Sequence, residues 1–145
     1  MRVREAMSGN VKIVNPGQSI REAARLMAEL DCGCLPVGQE GRLVGMITDR
    51  DIAVRAVAEG MSSKTPIREV MSPEVKYCFE DAQLDEVAQN MADIKVRRLP
   101  VVNQGKRLVG ILSLADLALT EDAACAASAL SGISAPGGEH SQAQA

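Results

Sequence analysis

Apolar residues at Ile20, Ala23, Ala24, Met27 and Leu30 recur at helical spacing, and Ser19 with Glu22 stands before them as a capping box would. The pattern predicts an amphipathic helix. Leu84, Val87, Ala88, Met91 and Ile94 repeat the same face further along. Behind each helix the period changes. Cys34 to Gly38 and Leu43 to Thr48 are short apolar runs around the turn Gln39-Glu40-Gly41, and they predict a β-hairpin. Arg98 to Asn103 and Leu108 to Ser113 predict a second hairpin. A short strand is expected around Lys12 to Val14 and at the matching place before the second helix. A further helix is expected over Asp49 to Ala58, with a counterpart starting near Leu114.

The two units are copies. Arg4-Glu5-Ala6-Met7-Ser8 returns 64 residues later as Arg68-Glu69-Val70-Met71-Ser72, and Leu35-Pro36-Val37 returns as Leu99-Pro100-Val101. After one extra residue in the second turn, Leu43-Val44-Gly45 matches Leu108-Val109-Gly110 and Asp51 matches Asp116. This places one βαββα repeat at 1–58, a linker at 59–66 and a second repeat at 67–120. In the linker, Gly60 is expected to end one helix, and Thr65-Pro66 to open the next as cap and first helical position. The class is α+β. A repeat of ~55 residues with one half-covered sheet holds too little core to stand alone, so the two are expected to pack sheet to sheet about an approximate two-fold axis. Beyond Thr120, alanine-rich sequence predicts a helix over 121–134, and 135–145 reads as a disordered tail carrying the sole histidine, His140.

Charge and composition narrow the function. With 16 Lys and Arg against 19 Asp and Glu, and with Tyr77 and Phe79 as the only aromatic residues, the chain lacks both the basic excess and the stacking platforms of a nucleic-acid binder. Charges interrupt every apolar run before the roughly 18 residues a membrane span needs. Four cysteines without a leader-like start at Met1-Arg2-Val3-Arg4-Glu5 point to reduced thiols and a cytoplasmic location. A histidine-based triad is excluded, because His140 lies in a tail that cannot hold catalytic geometry. Cys32-Gly33-Cys34 invites a metal reading, yet the second repeat has Val96 and Arg98 there, and Cys34 and Cys78 are expected to be small buried apolar side chains. No metal site is assigned, although a thiol or metal-linked sensor remains an alternative.

The informative element is Gly45-Met46-Ile47-Thr48-Asp49-Arg50-Asp51, echoed as Gly110-Ile111-Leu112-Ser113-Leu114-Ala115-Asp116. Each copy gives a glycine in a strand, a hydroxyl at the strand end and a carboxylate three residues on. A hydroxyl with helix N-terminal amides suits a phosphate or ribose oxygen, and a carboxylate can accept both ribose hydroxyls. Helix capping by Thr48 and Ser113 is expected in any case, but a cap alone leaves the recurring carboxylate unexplained.

This motif, twice in register after Leu-Pro-Val and a glycine turn, resembles a tandem pair of CBS domains (named after cystathionine β-synthase), also called a Bateman module. The resemblance covers about Val3 to Leu119 and is greatest to small stand-alone bacterial CBS-pair proteins, including some associated with stress or hypoxia. It implies a non-enzymatic regulatory module that takes AMP, ADP, ATP or another adenosine-containing ligand in clefts between the repeats, with no required cofactor and an unnamed protein partner. A ligand-independent scaffold is the alternative. Carried over by position, the main cleft would use Ser113 and Asp116 for phosphate and ribose, Arg97 and Arg98 for phosphate, and Asn15, Ile20, Cys32 and Gly33 for adenine. A second cleft would use Thr48, Arg50, Asp51 and Cys34, with Phe79, Leu84 and Val96 on the base side. The family also implies a homodimer, formed through helices expected to expose Ile52, Val54, Ala56, Leu117 and Ala118.

Overall fold

The computed structural model describes residues 1–120 and 123–135, with side chains from 127 in the last stretch. In chain order its elements are α1 (Val3–Ala6), α2 (Ile20–Leu30), β1 (Cys34–Gln39), β2 (Arg42–Thr48), α3 (Asp49–Asp51), β3 (Cys78–Phe79), α4 (Leu84–Ile94), β4 (Arg98–Val102), β5 (Leu108–Ser113), α5 (Leu114–Ala118) and α6 (Ala123–Ser134). The mixture of helix and antiparallel hairpin is α+β, and both hairpins lie where the paired apolar runs put them. His140 and the tail beyond Ala135 lie outside the described residues.

Two compact units emerge, and they cut across the repeats. One is Lys12–Val75; the other is Met1–Val11 together with the chain from Lys76. We call them the Lys12 unit and the Lys76 unit. The opening segment of each repeat therefore packs on the hairpin of the other repeat. In the Lys76 unit, Ser8 and Ile111 exchange backbone hydrogen bonds of 2.9 and 3.0 Å, and the Val3 N–H donates to the Ala82 carbonyl at 3.0 Å. In the Lys12 unit, Ser72 and Met46 exchange the equivalent pair at 2.9 and 3.0 Å.

A glycine permits each crossing. A Cβ on Gly110 would lie 2.6 Å from the Met7 sulfur and 2.9 Å from the Ser8 carbonyl oxygen. A Cβ on Gly45 would lie 2.6 Å from the Met71 sulfur and 3.0 Å from the Ser72 carbonyl oxygen. This is why the motif begins with glycine in both repeats: the strand's bare face is where another backbone runs.

Each unit has its own core. Val14, Ile20, Ala23, Met27, Leu35, Val37, Ile47, Ala56, Ile67 and Val70 form that of the Lys12 unit. Val3, Cys78, Leu84, Val87, Met91, Leu99, Val101, Leu112, Leu117 and Ala129 dominate the other. Ser19 and Glu22 form the expected capping box on α2, with the Glu22 N–H donating to Ser19 Oγ at 3.1 Å. The two helical faces are buried unequally. Ala88 and Ala92 on α4 are buried, because α6 lies on α4 so closely that a Cβ on Gly132 would meet the Ala92 Cβ at 2.5 Å. Ala24, Ala28 and Leu30 on α2 are exposed, contrary to the periodicity for Ala24 and Leu30.

Four local expectations change. The strand at Lys12 to Val14 shrinks to one parallel bridge between Val14 and Val37, because the chain turns at once through Asn15-Pro16. Beyond Asp51 the helix widens to a π-helix, Ile52–Val57, before Gly60 closes it at φ 73°. Pro66, not Thr65, is the N-cap of the short 3₁₀ turn Ile67–Glu69, and the Thr65 hydroxyl instead donates to the Ser62 carbonyl at 2.6 Å. Ala56 and Leu117 face the cores rather than solvent.

Two outcomes follow. Gly110→Val, and equally Gly45→Val, should destabilise the protein by about 1–3 kcal/mol, since a branched side chain must push aside a backbone held by two hydrogen bonds; a thermal midpoint equal to the native one would refute the crossing. Burial pushes the Cys78 thiol up to about 12. At pH 8 its thiolate fraction is on the order of 10⁻⁴, so iodoacetamide should modify Cys78 only after denaturation, as peptide mass mapping would show.

Candidate functional site

The antiparallel hairpins place the motif residues. Pairing of β4 with β5 sets Arg98 directly opposite Ser113, and pairing of β1 with β2 sets Cys34 opposite Thr48. Residues so paired share one face of the sheet. Thr48 and Ser113 then cap α3 and α5 with nearly the same backbone angles, φ −119° and ψ 162° for Thr48, φ −120° and ψ 162° for Ser113. The Asp51 N–H donates to Thr48 Oγ1 at 3.0 Å, and the Asp116 N–H donates to Ser113 Oγ at 3.1 Å. In return the Thr48 N–H donates to Asp51 Oδ2 at 3.0 Å and the Ser113 N–H to Asp116 Oδ2 at 2.9 Å. These are reciprocal capping boxes with aspartate in the third position. Capping therefore accounts for the recurring carboxylate as well as the hydroxyl, which corrects the expectation that a cap would leave it unexplained.

What differs between the two copies is the charge around this common frame. In the Lys12 unit, Asp51 is 5% exposed and lies 3.7 Å from the Arg55 guanidinium one helical turn on. In the Lys76 unit, Thr120 stands in place of Arg55 and donates its hydroxyl to the Leu117 carbonyl at 2.7 Å. Asp116 is half-buried, and its Oδ1 has no ion-pair partner among the described residues. Arg97 and Arg98 are exposed and likewise without an ion pair among the described residues. The Ser113 hydroxyl accepts one bond and retains its own proton to donate. Arg98, Ser113 and Asp116 thus offer a cation, a hydroxyl donor and a carboxylate acceptor at one end of one hairpin.

The remaining residues divide between the units. Asn15, Ile20, Cys32 and Gly33 belong to the Lys12 unit. Asn15 Oδ1 accepts the Gly17 N–H at 2.8 Å, Ile20 is buried in the core, and Cys32 is half-buried against that core. Arg50 is exposed, and its N–H donates to Asp49 Oδ1 at 2.8 Å. Phe79, Leu84 and Val96 belong to the Lys76 unit. Leu84 is buried, Val96 packs against the core, and the half-buried Phe79 meets Tyr77 edge to face at 5.8 Å. Among the described residues no three His, Cys, Asp or Glu side chains gather as a metal site would require. No described helix is long and apolar enough to cross a membrane.

Sequence reading missed two residues. Arg55 was legible as the partner of Asp51 from its spacing of four on a helix. Asp49 carries no repeat signal, since Leu114 occupies its place in the other repeat, yet its carboxylate covers Gly33: a Cβ there would lie 2.8 Å from Asp49 Oδ2.

Comparison with known proteins agrees with this anatomy. The family description "CBS domain" matches residues 3–57 and 67–120. The CBS domain-containing protein YhcV of Bacillus subtilis is 44% identical over 133 residues, covering 91% of this chain and 94% of the relative. A crystal structure of Hypoxic Response Protein I with two coordinated zinc ions has a TM-score of 0.74 and 36% identity, covering 81% of this chain and 97% of the other. The CBS domain pair of the protein MJ0100, solved in complex with 5′-methylthioadenosine and S-adenosyl-L-methionine, has a TM-score of 0.73 and 34% identity, with coverage of 81% and 97%. Matched in both repeats and alike in fold to solved CBS pairs, the chain belongs to the CBS domain family.

Proposed function

We propose that this chain is a non-enzymatic regulatory module that binds adenosine-containing ligands, with AMP, ADP or ATP engaged most strongly at the motif of the Lys76 unit. The observation that carries this reading is the trio Arg98, Ser113 and Asp116. Arg98 stands across the strand pair from Ser113, and Asp116 keeps one oxygen out of the capping box. A guanidinium and a hydroxyl suit a phosphate, and the carboxylate oxygen suits a ribose hydroxyl. The adenosine ligands of the MJ0100 pair support the ligand class. Regulation would follow if the ligand prefers one of two conformations, since coupling to a partner cannot exceed that differential affinity.

Titration calorimetry tests the assignment. Asp116→Ala should weaken AMP binding at least about tenfold, because a charge-assisted hydrogen bond is worth about 1.5–3 kcal/mol. Asp51→Ala should cost less, its carboxylate being engaged by Arg55. Arg98→Ala should weaken AMP more than adenosine, by a margin that salt narrows. If the native chain binds no adenosine ligand, the module is a scaffold; if it binds one and no variant alters the affinity, the site lies elsewhere.

We also propose a homodimer. Val57 and Leu119 are 69% and 86% exposed, and Val54 and Met61 are exposed beside Val57 in the Lys12 unit. Apolar side chains so placed suit burial against a second copy. Light scattering at tens of micromolar should give twice the chain mass, and Val57→Glu with Leu119→Glu should return it to the monomer value.

A further inference from the structure

The two motifs share a backbone and differ in charge. In the Lys76 unit the Leu114 N–H donates to the Arg97 carbonyl at 2.8 Å, and in the Lys12 unit the Asp49 N–H donates to the Gly33 carbonyl at 3.0 Å. These are the same bond in the two copies, so positions 33 and 49 correspond to 97 and 114 in space as well as in sequence. Arginine with leucine has been exchanged for glycine with aspartate. The exchange is concerted, because Asp49 Oδ2 and Cγ lie 2.8 and 3.2 Å from where a Cβ on residue 33 would sit. The carboxylate occupies the volume through which an arginine at 33 would have to leave the backbone. Across the strand pair from the hydroxyl, Cys34 replaces Arg98 in the same way. Around Thr48 stand Asp49, Asp51 and Arg50, with Arg55 drawn onto Asp51; around Ser113 stand Arg97, Arg98 and Asp116.

We propose that Asp49 is a specificity-determining residue: it makes the Lys12-unit motif select adenosine ligands whose 5′ substituent is neutral or cationic, a thioether or a sulfonium, and reject a 5′ phosphate. This rests on the reading that both motifs bind adenosine. A phosphate brought to the Thr48 hydroxyl would approach the adjacent Asp49 carboxylate with no arginine at 33 or 34 to offset it; Arg50 is the single exposed cation of the motif, against the pair Arg97 and Arg98 in the other copy. At separations of about 6–8 Å near a protein surface, and with the screening of physiological salt, a unit charge changes affinity by about three- to tenfold. A sulfonium there gains from the same field.

The experiment disables the Lys76-unit motif with Asp116→Ala and Arg98→Ala together and measures adenosine, AMP and S-adenosylmethionine by calorimetry at fixed ionic strength. Adenosine and S-adenosylmethionine should each bind several-fold more tightly than AMP. Adding Asp49→Asn, which removes the charge but keeps the shape, should raise AMP affinity about three- to tenfold and leave adenosine within about twofold. Asp49→Leu should do the same, and it places at 49 a residue that the equivalent position already tolerates. In the otherwise native chain, Leu114→Asp should lower AMP affinity by a similar factor relative to Leu114→Asn, the neutral isostere that matches it in the packing lost where Leu114 meets the Lys76-unit core. An AMP-to-adenosine ratio unmoved by Asp49→Asn and by Leu114→Asp, with adenosine still bound, overturns this proposal alone. Failure of the native chain to bind adenosine overturns the ligand reading beneath it as well.

Discussion

Both units are closed by a backbone crossing that only a glycine admits. Ser8 runs over Gly110 and Ile111, and Ser72 over Gly45 and Met46, with two hydrogen bonds at each crossing. Everything near the motif depends on this contact. It adds a bridge beside β5 and β2, brings Val3 and Ile67 into the cores, and pins the strands that end in Ser113 and Thr48. Because each crossing segment comes from the other repeat, neither repeat can complete its unit without its sister. The marginal core expected of a single repeat is thereby supplemented covalently, by a segment belonging to the same chain.

The capping boxes give the motif residues a structural task that exists without any ligand. The hydroxyl and one carboxylate oxygen satisfy backbone N–H groups at the start of α3 and α5. What remains for recognition is the other carboxylate oxygen and the hydroxyl proton. Position 55 or 120 governs that remainder, since Arg55 engages Asp51 whereas Thr120 turns to its own helix and leaves Asp116 alone. Loss of either aspartate therefore removes a cap as well as a contact, and stability must be measured beside affinity before a binding defect is interpreted.

Much of this was legible in the sequence. Helix faces, both hairpins and the Ser19 box followed from spacing, because period and cap chemistry are local. The exchange of Arg4–Ser8 and Arg68–Ser72 between units was not legible, since a repeated segment packs equally well by pattern on its own hairpin or on its sister's. The exposure of Ala24 and burial of Ala88 were also hidden: identical residues at matching positions differ because α6 covers α4. Of the candidate site, the grouping of Arg98, Ser113 and Asp116 needed only strand register. The role of Asp49 over Gly33 needed coordinates, as no pattern rule relates a helix's first residue to a glycine before a strand.

The duplication sorts residues by what constrains them. Positions that agree between repeats, such as Gly45 with Gly110, Asp51 with Asp116 and Pro36 with Pro100, are those the fold itself uses for crossing, capping and strand packing. Positions 33 with 97, 34 with 98, 49 with 114 and 55 with 120 also differ in charge and gather around the capping boxes, whereas the sign reversals of Arg21 with Asp85 and Asp31 with Lys95 fall on the long helices and at their C-terminal ends. Agreement therefore reports architecture. Charge divergence at the rim of a shared frame suits two sites with different ligands, because a solvent-facing position on a common backbone can hold either sign at little cost in stability.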